Sequence, residues 1–444
     1  MKKTVCLLLC CLLFLCGVSL AEGGTPDYLT VGSVIEAHME GSLLTLSTPD
    51  GVTATLPVEE GYSFIPGAYD GSYSGSVISS RDGRRALIFI RSEEDAMSRN
   101  RLYLFDGAAI TPVCDGAGTR LARLSNDGAT VIYCTGDKLL YAWDAASGQS
   151  FYIAEDFVNE RYCGFTADGD KVFYTRMSWT AAGAPALVGC LYDCASHTEE
   201  AVLEGGVLLS VSADDNCLLY FTVDLEEEDI TGVSILNRES GAVCELAADD
   251  DVTVYSNLNQ DEFLAVTDDA AVLSLRGGEA VQIAVDDTWP LLPYATAQDI
   301  VSGVRVLGVS TLRGMYFVNE TPDGLYRVIR IAEDGTAQNV MQGIEDKTAF
   351  LLTDGHTLIA LKNGGIRRVD GLNPSGPPEI IVSGGVLECV PAADGRAVFY
   401  VKEGEGYSAS LYVATTGGQP KLLIPDMETR WIGSRSYNYI YGGD

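Results

Sequence analysis

Apolar residues in this chain fall into short runs broken by Gly, Asp, Asn and Ser, with little helix-period patterning anywhere. One stretch shows the grammar. Leu121–Leu124 is a short run, Asn126-Asp127-Gly128 a turn, and Thr130–Cys134 a second run. Leu139–Trp143 follows, closed by Asp144 and the turn Ala146-Ser147-Gly148, and Gln149–Ile153 completes the unit. Asp-Gly between two apolar segments is a strong hairpin signal, because glycine supplies the positive φ of a tight turn. The pattern therefore predicts four short antiparallel strands in succession.

The same phrase, Ser-x-Asp-Gly ahead of an apolar run with an aromatic end, returns about every 40 to 45 residues, the size of one repeat of a propeller or solenoid. The copies are Ser80-Arg81-Asp82-Gly83, Ser125-Asn126-Asp127-Gly128, Thr166-Ala167-Asp168-Gly169 and Ala392-Ala393-Asp394-Gly395. Units parse at 77–119, 120–160, 161–206, 207–251, 252–293, 294–345, 346–384 and 385–428. The fifth has Asn259-Gln260-Asp261 in place of Asp-Gly, and the sixth carries an insertion near Trp289–Ile300. Strands are also expected at Val31–Ala37, Leu43–Ser47 and Val52–Pro57, and Arg430–Tyr441 reads as the start of a further unit. The two ends together would make a closing blade. The expected fold is an all-β propeller of four-stranded antiparallel blades, eight by preference and seven or nine as alternatives, spanning residues 22–444 as one domain.

These hairpins, with third-strand endings Leu102-Tyr103-Leu104-Phe105-Asp106, Leu140-Tyr141-Ala142-Trp143-Asp144 and Leu191-Tyr192-Asp193, resemble the WD-like repeat of TolB-type propellers. They are also similar to the propeller of dipeptidyl-peptidase-type serine peptidases. The resemblance covers nearly all of residues 22–444 and implies fold. It transfers no catalytic residue, because members of such families include partner-binding scaffolds, enzyme regulatory domains and solute binders.

The N-terminus changes where the protein is expected to act. Lys2 and Lys3 precede the apolar run Val5–Leu15, and Ser19-Leu20-Ala21 places small residues where a signal peptidase cuts. The run is shorter than the roughly 18 apolar residues a membrane span needs. Cleavage after Ala21 is expected, giving a secreted or extracytoplasmic protein with no membrane span, expected to be a monomer. The formal net charge of −33 repels phosphate backbones, which argues against a nucleic-acid partner.

Acidic clusters such as Asp249-Asp250-Asp251 lack the Asp-x-Asp-x-Asp-Gly spacing of a calcium loop and read as solvated turns. Of the twelve cysteines, four lie in the leader. Cys134, Cys163, Cys217 and Cys389 fall inside apolar runs, where a free thiol acts as a small hydrophobe. Buried free thiols are the preferred reading, with one or two cross-strand bridges as the alternative. The scattered His38, His197 and His356 and the missing paired Cys-x-x-Cys argue against zinc. No cofactor or metal is expected.

Catalytic motifs are sought without success. Gly71-Ser72-Tyr73-Ser74-Gly75 puts a tyrosine where a nucleophile elbow needs serine, and the repeat lacks the spacing of a sialidase Asp box. The Asp-Gly aspartates are turn residues first. If Asp-Gly joins strands one and two at one end, the loops between strands two and three gather at the other, with the blade connectors. There lie Arg91–Arg99, Arg176–Pro185, Asp224–Thr231, Asn319–Gly324, Lys402–Ser408 and the connector Trp289–Ile300. Rigidly held loops are where binding residues concentrate. The candidate ligand-binding residues are Arg91, Arg176, Trp179, Trp289, Tyr294, Glu320 and Lys402. Arg91, Arg176 and Lys402 stand at equivalent positions and are expected to capture an anionic group; the blander reading is pairing with local carboxylates. The expected function is a non-enzymatic scaffold binding a protein or peptide, with a small ligand or glycan as second choice. The rival is a carbohydrate-active or lyase-type propeller using central carboxylates and tyrosines.

Overall fold

The computed structural model describes residues 36–428 apart from 49, 65–76, 81–83, 96, 156, 159–161, 182, 226–228, 248–251, 258–259, 268–271, 277–278, 284–304, 309–312, 322, 333–335, 346–348, 353, 393 and 405–407. Every named element among them is a β-strand. The strands form six separate four-stranded antiparallel sheets, an eight-stranded sheet that joins two further units, and a three-stranded sheet at Glu36–Pro57. Within each unit the strands pair in chain order. The protein is a β-propeller.

The joined sheet departs from the expected parse. Ile110–Leu124 is one long strand that ends the first unit and begins the second, with its register shifting between Ala117 and Ala122. The remaining units follow the pattern: for example Gly164–Phe165, Lys171–Trp179, Pro185–Asp193 and Thr198–Glu204 in the third, and Gly206–Val211, Cys217–Asp224, Asp229–Asn237 and Val243–Ala247 in the fourth. The Trp289–Ile300 insertion and residues 1–21, where a leader is expected, lie outside the described residues.

Burial explains why the apolar runs are nearly continuous. Residues 217–221 are all buried because a second strand is covered on both faces by neighbouring units. Phe173 and Leu191 of the third unit pack with Leu208, Leu218 and Tyr220 of the fourth. Ile132 and Ala142 of the second pack with Val172, Tyr174 and Tyr192 of the third. Each fully buried large side chain contributes about 1.5–3 kcal/mol. First strands are mostly buried, as in Gly206–Val211, with Leu387 of Val386–Pro391 an exception, whereas the fourth strand Thr198–Glu204 is mostly exposed. The first strand thus marks the inner edge of a unit and the fourth its rim.

The Ser-x-Asp-Gly phrase folds into a closed hydrogen-bond circuit. The Ser125 hydroxyl donates to Asp127 Oδ1 (2.7 Å) and accepts from the Thr130 N–H (2.9 Å), while the Ala129 N–H donates to Asp127 Oδ1 (2.9 Å). Thr166 with Asp168, and Ser212 with Asp214, repeat the circuit. The fourth residue must be left-handed: Gly128 has φ +71° and Gly395 φ +69°. In the degraded copies Asp215 (φ 58°) and Gln260 (φ 56°) take that conformation without being glycine. Asn257 Oδ1 stands in for the serine hydroxyl in the fifth unit, accepting from the Asp261 and Glu262 N–H groups.

Cations at this turn end bind the next unit. Arg85 donates to the Gly128 carbonyl (3.1 Å), Arg368 to the Gly395 carbonyl, and Lys171 pairs with Asp215. Lys421 of the eighth unit reaches the Gly51 carbonyl of the N-terminal sheet at 2.7 Å. The eight cysteines among the described residues are free; Cys134, Cys163, Cys190, Cys217 and Cys389 are buried, and burial pushes the Cys194 and Cys217 thiols up to about 12.

Candidate functional site

At the end opposite the Asp-Gly turns the structure shortens the expected loops. Antiparallel pairing carries the second strands almost to their tips, so five of the candidate residues are strand residues. Arg91 lies opposite Ser63, Arg176 opposite Val188, Glu320 opposite Tyr326, and Lys402 between Val386 and Ser410. Trp179 closes its strand opposite Pro185, leaving a tight tip in which the Thr180 N–H donates to the Ala184 carbonyl (2.9 Å). These residues share one end of the protein but sit on four different sheets, Arg176 and Trp179 on the same strand. Trp289 and Tyr294 lie outside the described residues.

The expected equivalence of the three cations breaks down. Arg176 reaches toward the rim, not the central mouth: its guanidinium pairs with Glu199 on the fourth strand at 3.0 Å. The Tyr174 hydroxyl donates to the same carboxylate, and burial raises the phenol well above its ordinary value. The Cys190 thiol is also raised by burial, although Arg176 donates to it and opposes the shift. This cluster ties three strands of the third unit together, with Arg176 Nε buried and left without a hydrogen-bond partner, and Tyr174 and Cys190 also belong to the core between the second and third units. Lys402 is exposed and lies along Gly385. Arg91 is half-buried and Glu320 is exposed.

Sequence reasoning missed the best-organised feature of this end. Asn100, fully buried, accepts from the Ser92 N–H and donates to the Ala117 carbonyl, each at 3.0 Å, and so clamps the 93–99 loop between two strands. Asp95 folds the loop inward by accepting from the Met97 N–H (3.2 Å) and the Ser98 hydroxyl, which holds its carboxyl below the usual range. Beside it Arg101 pairs with Glu59 (2.8 Å) and Asp115 (3.3 Å) and stacks on the Tyr62 ring at 4.0 Å. Hydrogen bonding to Glu59 raises the guanidinium further above its already high value. A cation at the head of a third strand was the available signal. Its partners Glu59 and Tyr62, contributed by a segment well upstream, were not legible.

Three hairpin tips at this end carry an exposed apolar side chain. Met97 is 57% exposed, Trp179 39% and Leu325 36%. They belong to the first, third and sixth units, and each tip is closed by backbone hydrogen bonds, as from the Thr321 N–H to the Leu325 carbonyl (2.7 Å). The opposite end also holds a concavity, a cleft of about 280 Å³ between the seventh and eighth units, lined by Arg368, Glu379, Ile380, Gly395 and Thr416. Arg368 there is already bonded to Glu379 (3.2 Å) and to the Gly395 carbonyl, so it serves as an inter-unit tie. Among the described residues no group of three or more His, Cys, Asp or Glu side chains is placed to hold a metal ion.

Neither a protein-family model nor a curated protein sequence matches the chain. Among solved structures it is similar to an oligogalacturonate lyase from Vibrio parahaemolyticus at 10% identity, covering 86% of this chain and 96% of that one, with a TM-score of 0.38. An oligogalacturonate lyase in complex with manganese gives 10% identity, 89% and 98% coverage and a TM-score of 0.38. The C-terminal WD40 domain of Sif2 gives 12% identity, 88% and 96% coverage and a TM-score of 0.36.

Proposed function

We propose that this chain is an exported propeller module that captures a protein or peptide partner on the end carrying the loops between second and third strands. The observation that supports this reading is the set of apolar side chains, Met97, Trp179 and Leu325, offered on hairpin tips of three different units at one end. An aromatic or thioether anchor held on a closed tip loses little entropy on binding, and each contributes about 1–3 kcal/mol when buried by a partner. The cations of this end add orientation: Lys402 is exposed, and Arg101 is held in place by Glu59 and Asp115. A small ligand or glycan is the second choice for the same end.

The test is site-specific photo-crosslinking in the native exporting cell. A photoreactive residue is placed at 97, 179 or 325, and separately at Tyr152, Val243 or Leu422, which are also exposed but lie on fourth strands. Adducts to a common protein partner from the first set alone support the reading. Adducts from the second set alone overturn it. Release of unsaturated oligosaccharides from polygalacturonate by the purified chain would overturn the non-enzymatic part in favour of the lyase-type rival.

A further inference from the structure

The rim of the seventh and eighth units departs from that of the first three. In those three the fourth strand pairs with the third to its last residue, as Phe105 with Ile110, Asp144 with Gln149 and Asp193 with Thr198. In the seventh unit Gly365–Asp370 pairs with Glu379–Val382 only as far as Arg368 opposite Glu379. In the eighth, Ser408–Thr415 pairs with Lys421–Glu428 only as far as Val413 opposite Lys421. A proline precedes each of these fourth strands, Pro378 in the position facing Val369 and Pro420 in the position facing Ala414. Proline has no N–H to donate to a ladder, so both rims lose their last rungs at the Asp-Gly end. The cleft of about 280 Å³ opens between these two shortened rims.

Its lining divides by chemistry. Val398 and Ala414, buried and paired with each other, supply an apolar floor, and Ile381 packs against the same core. The seventh unit supplies a charged wall, Arg368 beside Glu379, with Nη1 donating to Oε2 at 3.2 Å. Arg368 Nη2 donates to the Gly395 carbonyl, and its Nε is buried without a hydrogen-bond partner. Each Nη carries two hydrogens, so the tie to the eighth unit leaves donors on both. The Glu379 side chain is 54% exposed, and a carboxylate can accept several hydrogen bonds at once. The eighth unit supplies the facing wall, the Thr415–Gly418 turn, closed by the Gly418 N–H on the Thr415 carbonyl (2.9 Å). A cation and an anion thus stand side by side above an apolar floor.

We infer that this cleft binds a free apolar α-amino acid, its carboxylate on Arg368, its ammonium on Glu379 and its side chain on Val398 and Ala414. Three observations favour this class of ligand. The neighbouring charges of Arg368 and Glu379 match a molecule whose own two charges sit on one carbon. Such a zwitterion has no net charge, so a chain of formal charge −33 does not repel it as it would a simple anion. The volume equals that of about nine waters and falls just below the range of pockets for drug-sized ligands, which suits a single amino acid. Bound there, the ligand touches both units and adds to the tie that Arg368 already makes to Gly395. The site is separate from the partner-binding end and does not depend on it.

The experiment is isothermal titration of the purified chain with leucine, valine and phenylalanine. At least one is expected to bind with a dissociation constant of about 1 mM or tighter. The amide of that amino acid lacks the carboxylate, its N-acetyl form lacks the ammonium, and glycine lacks the side chain. Each is expected to bind about tenfold or more weakly. Arg368→Gln should lower affinity similarly. Should that variant fail to fold for want of its inter-unit tie, Glu379→Gln, at an exposed side chain, gives the same reading. No binding of the three amino acids at about 10 mM overturns the assignment. So does equal affinity for the N-acetyl form, or a Glu379→Gln chain that binds as tightly as the parent.

Discussion

The left-handed glycines of the turns allow backbone strain to be separated from packing. Gly128 and Gly148 share a positive φ, +71° and +65°, and so the same conformational cost for alanine. A left-handed non-glycine residue costs about 1–2 kcal/mol. Their surroundings differ. A Cβ on Gly148 meets nothing within 4 Å, whereas one on Gly128 would lie 2.7 Å from Arg85 Cδ and 2.8 Å from its Cβ. Arg85 also donates to the Gly128 carbonyl at 3.1 Å, so displacing it forfeits a hydrogen bond that ties the first unit to the second, worth about 0.5–1.5 kcal/mol. Gly148→Ala is expected to cost about 1 kcal/mol and Gly128→Ala about 2–3 kcal/mol. The assay is urea unfolding followed by tryptophan fluorescence and circular dichroism together, since a chain this long need not unfold in one step. In an Arg85→Gly background, which removes the Cβ as well as the guanidinium, the excess at Gly128 is expected to vanish, as a double-mutant cycle reports only the shared contact. Equal losses at the two glycines, or an excess that survives without Arg85, would refute the inter-unit tie.

Acid is expected to weaken the fold through the turn carboxylates. The Ser147 hydroxyl at Asp144, the Ser196 N–H at Asp193 and the Ser212 hydroxyl at Asp214 hold these groups below their ordinary value. Their contribution is complete above the unfolded pKa near ~4 and is lost as pH falls through the depressed folded values. Asp170, raised by burial and then by Asp168 and Asp127, works in the opposite sense. A urea midpoint measured from pH 7 to pH 3 should fall in the last units, and less steeply in Ser212→Ala; a flat profile contradicts the sign. At the other end, Arg101→Ala is expected to cost only about 1 kcal/mol, because both carboxylate partners are mostly exposed. Its clearer effect is protease cleavage near Glu59–Tyr62, and Arg101→Lys should not restore protection, lacking the planar fork.

Much of this architecture was readable from local chemistry alone. Serine, aspartate and glycine at fixed offsets build the hairpin within four residues, so each copy announced a turn without knowledge of its neighbours. Asp144 and Asp193 were equally plain, because each caps the turn that follows it. What stayed hidden depends on residues far apart in sequence. Arg176 reads as a cation near a loop until Glu199 arrives across two strands. Arg101 has no visible role without Glu59, and the tie from Lys421 to Gly51 spans nearly the whole protein. The joined strand at Ile110–Leu124 was also missed, since the apolar pattern marks each half but not the absence of a break between them.

The central claim is a division of labour between the two ends of each unit. One pair of substitutions tests it: Trp179→Ala at a loop tip and Asp127→Ala in a turn, each measured for unfolding midpoint and for partner crosslinking from position 97. The account expects Trp179→Ala to leave the midpoint within about 0.5 kcal/mol of the parent while sharply lowering the crosslink. Asp127→Ala, which leaves the Ser125 hydroxyl and the Ala129 N–H without their acceptor, should lower stability by about 1–3 kcal/mol and spare the crosslink. A Trp179→Ala chain destabilised as much as Asp127→Ala, with crosslinking intact, would make Trp179 a packing residue and contradict the assignment of function to that end.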